Sequence, residues 1–486
     1  MKAFENDLRR GWLRPEFSRR QFLYQSLTGV GGIALMELLG RDLPAAGPAD
    51  ESPLAPKPPH HPAKARSCIF LTMLGGVGQM DTFDPKPALN KFHDTPMDWS
   101  KEKKTDQPGL FAKPRHINGS PFRFAKYGQC GMDVSELFPD LAGCVDDMAF
   151  VRSVQADNGN HPAAVFQMNT GFVTPGSPSL GAWLTFGLGA ENQNLPAYVA
   201  LPDFRSIPFS GTQQWGSGFL PAAYQGTVLR WKGEAIRDLQ PPEGLSPQAR
   251  QSERELLRSL NQEYLKDHFT NPDLQARLDS YELSYRMQTE VPAVLDIDRE
   301  SAAVKEMYGL NDPVTLSFGK RCLMARKLVE HGVRYVQLYT PSQSWDAHLD
   351  IKKNHLKNAQ ETDKPIAALI RDLKQRGLLE STLLVWMGEF GRTPDTPADQ
   401  KTKGRDHNPQ AMTIWFAGGG IKKGALAGAT DDLGFKAIQD VYHIRDVHAT
   451  ILHLMGLNDM RLTYYHAGRN RRLTDTGGRL ISQVLA

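Results

Sequence analysis

Five short apolar runs, at 68–74, 148–154, 333–339, 382–387 and 412–416, are rich in aliphatic, β-branched and aromatic residues, the composition of strands buried on both faces. Between them the apolar period lengthens to that of a helix. Phe318, Cys322, Ala325, Leu328 and Val329 form one stripe, and Gly332 follows as a C-terminal stop. The helix before 382 ends the same way at Gly377. Strands alternating with helices predict an α/β fold, a central largely parallel sheet with helices on both faces.

Between about 205 and 298 the pattern changes, first to a segment rich in glycine and aromatics, then to two charged helical stretches. Ser246 and Pro247 suit the cap and first turn of the first stretch, with Leu256, Leu257, Leu260 and Tyr264 on one side. Leu274, Leu278, Tyr281 and Tyr285 give the second a similar stripe. The expectation is a helical hairpin inserted in the α/β domain, its narrow apolar face packed on the main sheet or, failing that, on a partner. Five prolines between 50 and 65 predict an extended linker. The folded domain is expected from 66 to 486.

The first 49 residues read as an export signal. Ser18, Arg19, Arg20, Gln21, Phe22 and Leu23 precede a mildly apolar, glycine-rich run, the order of a twin-arginine leader, a route that normally carries proteins already folded. Glu37 and the shortness of the run argue against a permanent transmembrane anchor. The expected location is the periplasm or cell envelope. Residues 1–49 hold seven basic and five acidic residues of a chain at net +3, which leaves +1 for the remainder. A near-neutral domain gives no electrostatic case for nucleic acid. Four scattered cysteines with no C-x-x-C pair suggest neither zinc–thiolate binding nor a redox couple.

In open parallel sheets, ligands bind beyond the carboxyl ends of the strands. There this sequence places Asp81 after the first run, His161 after the second, Asp346 and His348 after the third, and Glu389 and Arg392 after the fourth. His407 precedes the fifth run, and reaches the same edge if that strand is antiparallel. Carboxylates and imidazoles without thiolates suit zinc, manganese or calcium. Two such ions could clamp the attacking and leaving oxygens of a phosphate or sulfate ester, and Arg392 offers a planar fork for a tetrahedral oxyanion.

The motifs GGVGQMDTFDPKP, NHPAAVFQMNTG, WDAH, TLLVWMGEFGRTP, GRDHNPQAMTIWFAGGGIKKG and RDVHATILHLMGL, in this order, resemble the bacterial domain-of-unknown-function family numbered 1501. The resemblance runs from Arg66 to the C-terminus. That family is similar to sulfatases and phosphoglycerate mutases of the alkaline phosphatase superfamily, which implies an alkaline-phosphatase-like sandwich. By the same resemblance His407 matches a histidine ligand, and Asp346 and His348 resemble an aspartate and histidine given to one metal by the mutases. Glu389 and Phe390 stand where sulfatases carry an Asp-His metal pair. His161 stands where they carry a modified Cys or Ser nucleophile, nine residues before the threonine of Thr170-Gly171. A histidine cannot mimic a formylglycine diol, so any covalent role would be phosphoryl transfer. Gly78 and Gln79 replace a Ser-His pair, leaving Asp81 as the first-strand ligand.

Two functions follow as expectations. One is an exported metal-dependent hydrolase of sulfate or phosphate esters, on small molecules or polysaccharides. The other is a catalytically silent relative that binds a ligand or a protein at the cell envelope. The resemblance also implies a partner, since the family occurs beside exported proteins with cytochrome-c-like domains.

Overall fold

The computed structural model describes residues 52–97, 114–236, 246–267 and 272–486. The segment read as an export leader lies outside them. Nine strands form the main sheet: β1 (Ser67–Thr72), β2 (Met148–Gln155), β3 (Tyr198–Leu201), β4 (Thr227–Val228), β5 (Tyr335–Tyr339), β6 (Thr382–Met387), β7 (Met412–Ala417), β8 (Ala425–Ala427) and β9 (Tyr442–His443). Their order is β8-β2-β7-β6-β1-β5-β3-β4, with β9 also beside β2. Pairing is parallel except at β7, which runs against both β2 and β6. The predicted central, largely parallel sheet is therefore present.

Alternate side chains of each strand serve opposite layers, as the two-residue period of a strand requires. Ile69, Leu71, Leu384, Trp386 and Trp415 join the layer under α5 (Leu316–Glu330) and α6 (Ile351–Gln375). Phe70, Leu383, Val385, Ile414 and Phe416 face α1 (His161–Thr170), α2 (Leu180–Leu188) and α7 (Ile444–Leu454). Trp386 and Trp415 are cross-strand partners whose rings stack at 6.1 Å, so register and packing specify each other where β7 reverses.

The inserted hairpin exists as α3 (Pro247–Asp267) and α4 (Pro272–Val294). Its packing differs from the first expectation, the sheet. Leu256, Leu257, Leu260 and Tyr264 are each more than half exposed, so the apolar face of α3 does not lie on the sheet. The hairpin is held by the end of α4, where Met287, Val291 and Val294 enter the core. A stripe tells which residues share a side of a helix, not what that side meets.

From residue 52 to 65 the proline-rich stretch carries no helix or strand, and it is tied down. Lys57 and His60 donate backbone hydrogen bonds to Leu188 and Gly456, and Lys64 and Ala65 both donate to Leu454. The compact unit runs from Pro53 to Ala486, so all but the first three residues of this stretch belong to it.

Candidate metal centre

The antiparallel course of β7 brings the segment before it to the edge where β1, β5 and β6 end. His407 lies in a two-residue ladder there, Gly391–Arg392 against His407–Asn408. His161 opens α1, with Pro162 fixing its first turn. Asp346 and His348 sit between β5 and α6. The loop after β1 closes over them through Gly75 and Gly76, both at positive φ. A Cβ on Gly75 would lie 2.4 Å from the Asp346 nitrogen, and one on Gly76 would lie 2.6 Å from the Phe390 ring, so neither position admits a side chain.

His161, Asp346 and His407 each bring a ligand atom within 4.8 Å of the others. Asp346 Oδ2 is 3.4 Å from His161 Nε2, and its Oδ1 is 3.4 Å from His407 Nε2 and 3.2 Å from His348 Nε2. The far nitrogen of every ring is engaged. His161 Nδ1 is 2.7 Å from Glu389 Oε1, His348 Nδ1 is 2.7 Å from Asp406 Oδ1, and His407 Nδ1 is 2.7 Å from the Gly159 carbonyl. Each of these oxygens only accepts, so each Nδ1 carries the proton, and in the neutral rings every Nε2 presents a lone pair. His348 and His407 Nε2 stand 2.9 Å apart. His161 Nε2 is buried without a hydrogen-bond partner.

Bare nitrogens converging on a carboxylate repel one another unless a cation lies between them. Their spacing suits one, since neighbouring ligands of a zinc-sized ion with bonds of about 2.0 to 2.1 Å stand about 3.3 Å apart. Nδ1 atoms held by carboxylate or carbonyl are also the usual second shell of metal-bound histidines. These residues therefore fit a divalent ion.

The electrostatics agree. Burial opposes ionisation of Asp346, but His161, His407 and Arg392 overcome it and hold the carboxyl well below the ordinary range. Burial pushes His407 down, toward the neutral ring a ligand needs. Burial would also lower His161, yet the Asp346 and Glu389 carboxylates outweigh it and raise the ring, a measure of the pull on any positive charge placed there. Asp406, although buried, is held at about 2 by His348 and Arg115.

Three sequence expectations change in detail. Arg392 is fully buried; it donates to the carbonyls of Gly75, Gly76 and Arg405 and, at 2.5 Å, to Asp346. Its donors are spent on fixing the Asp346 loop, so it is not free for an oxyanion. Asp81 lies outside the cluster, its two oxygens held by Arg405 at 2.7 and 3.1 Å. Glu389 turns its carboxylate to the Gly75 and Gly76 amides as well as to His161, which makes it a support for the imidazole. Phe390 fills the adjoining space, with ring centroids 4.8 Å from His161 and 4.6 Å from His407. The sequence reading missed Asp406 and Arg115. Asp406 could have been found beside His407, whereas Arg115, bonded to Asp395 and Asp406, carries no local signal.

Fold and site together define a layered α/β protein with an imidazole and carboxylate cluster at its strand ends. Residues 65–485 match the family Protein of unknown function (DUF1501), and the chain belongs to it. No curated protein matches the sequence. Among solved structures the chain is similar to the phosphonate monoester hydrolase SpPMH from Silicibacter pomeroyi (10% identity, 86% of this chain and 76% of that one, TM-score 0.36). It is similar also to the alkaline phosphatase of the Antarctic bacterium TAB5 (9%, 82% and 99%, TM-score 0.35). A third is the PsFucS1 sulfatase from Pseudoalteromonas sp. (11%, 81% and 68%, TM-score 0.32).

Proposed function

We propose that the protein is an exported, metal-dependent hydrolase of phosphate or sulfate esters, with one divalent ion held by His161, Asp346 and His407 and His348 beside it. The supporting observation is the convergence of three imidazole Nε2 atoms on Asp346, each ring fixed by an acceptor at its Nδ1. A divalent ion bound there would supply Lewis acidity toward an ester oxygen and acidify a water for attack.

The chain's own residues do the rest. Glu389 holds His161 in the tautomer that leaves Nε2 bare, and Asp406 does the same for His348. Arg392 clamps the Asp346 carboxylate from below. Phe390 and Phe209 cover the His161 side and keep water from it. His348, 45% exposed against 6% for His161, marks the open side where substrate enters. His161 is a ligand in this reading and not a nucleophile, because one ring nitrogen is bonded to Glu389 and the other faces Asp346.

One observation favours the silent, ligand-binding alternative. The buried arginines nearest the centre, Arg115, Arg392 and Arg405, are each paired with a carboxylate, so none waits for an anionic ester. The test has two stages. Metal content of the purified protein should be at least one ion per chain, and His407→Ala should lose it while circular dichroism stays unchanged; a metal-free wild type overturns the reading. Metal-loaded protein is then assayed on aryl phosphate and sulfate esters. Turnover that disappears with the ion supports the hydrolase, and full occupancy without turnover supports the binding protein.

A further inference from the structure

We infer that the centre takes one ion per chain, and that the Arg405 guanidinium is a permanent internal cation holding the place beside Asp81 where a second ion would otherwise sit. The inference rests on the metal reading above and deepens it. Five carboxylates cluster at this edge, Asp81, Asp346, Glu389, Asp395 and Asp406, enough acid for two divalent ions. What decides the number is how many oxygens remain uncommitted.

Asp81 is fully buried, and both its oxygens accept from Arg405, itself fully buried, at 2.7 and 3.1 Å. Asp395 is matched the same way by Arg115, at 2.6 and 3.1 Å. Asp406 gives one oxygen to Arg115 and the other to His348, at 2.6 and 2.7 Å. Glu389 is spent on two backbone amides and His161. Asp346 gives Oδ1 to Arg392 at 2.5 Å, but it alone also turns its oxygens toward bare imidazole nitrogens, Oδ2 toward His161 and Oδ1 toward His348 and His407. A guanidinium does not lose its proton in a protein, so Arg405 and Arg115 cannot withdraw their charge to admit an ion.

A buried imidazole adjoins Asp81. His355 is fully buried, and its Nε2 accepts from the Gly78 amide at 3.0 Å. A Cβ on Gly78 would lie 2.6 Å from Asp81 Oδ2 and 3.0 Å from His355 Nε2, so carboxylate and imidazole share one small space. With Arg405 present that space holds a matched ion pair; without it the Asp81 carboxylate is left buried and uncompensated.

Native mass spectrometry of the full chain, equilibrated in turn with Zn²⁺, Mn²⁺ and Ca²⁺, counts the ions. One equivalent is expected. Two in the wild type overturn this inference and leave the metal centre standing; none overturns both. Arg405→Gln, checked for folding by circular dichroism, should gain a second equivalent, and a folded variant that stays at one removes Arg405 from the role. Should that variant not fold, the paired change Asp81→Asn with Arg405→Gln removes both charges together. It should keep one equivalent, with affinity within about three-fold of wild type; loss of that ion would mean the pair belongs to the site it is said to stand apart from.

Discussion

Glu389 shows how much one side chain can do without touching an ion. Its carboxylate ties the loop after β1 to the His161 ring through hydrogen bonds of 2.7 to 3.3 Å. Glu389→Gln keeps the shape but brings an amide that can donate as well as accept, so the His161 tautomer is no longer imposed. Metal affinity, measured by competition with a chelator, should fall about 10- to 100-fold, the usual effect of losing an outer-shell partner. An affinity within a factor of two of wild type would show that His161 is not a ligand. Candidate ligands were legible in the sequence as residues at strand ends, and His161, Asp346, His348 and His407 do come together. Asp81 and Arg392 were read from the same rule and lie elsewhere in the scheme, because a strand-end position gives an address and not a partner. Their partners, Arg405 and the carbonyls of Gly75 and Gly76, are fixed only by the packed structure.

Among elements, the inserted hairpin separates what a periodic pattern can tell from what it cannot. Both helices form where their stripes predicted, yet Leu256 and Leu260 are 60% and 58% exposed while Met287 on α4 is 3% exposed. Leu256→Ser with Leu260→Ser should shift the urea midpoint little, by less than about 1 kcal/mol in stability. Met287→Ala should cost about 2 to 5 kcal/mol through its transfer and cavity terms; the reverse ranking would place the α3 face in an interior contact. Helix α7 carries a second legible consequence. His448 is fully buried, its Nε2 donates to the Met168 carbonyl at 2.8 Å, and burial lowers it to about 4. An unfolded histidine titrates near 6.5, so the unfolded chain binds the extra proton first as pH falls. Stability from this residue is thus complete above about pH 6.5 and lost toward pH 4, by up to about 3 kcal/mol. Urea melts at pH 7 and pH 5 should show that loss, and His448→Gln should lessen it.

For the whole molecule, the alternation of apolar runs was sufficient to read the layered sheet, because a strand buried on both faces must be apolar on both. The direction of β7 was not legible, since a run of apolar residues reads the same both ways, and that direction carries His407 to the ligand edge. Delivery is the prediction at this scale. Arg19→Lys with Arg20→Lys should leave the protein in the cytoplasmic fraction, and undiminished recovery outside it would remove the leader from the account. The reversal of β7 also sets a clock. The proposed ligands come from three separate stretches of the chain, at 161, 346–348 and 407, and the last is in place only when β7 has docked between β2 and β6. During synthesis no partial chain owns the centre, and a product truncated before residue 407 never acquires it. On the proposed export route, which carries folded proteins, an ion at this centre would be captured at the close of folding, and the metal pool of the compartment where the chain is made, not the one where it works, would decide which ion that is.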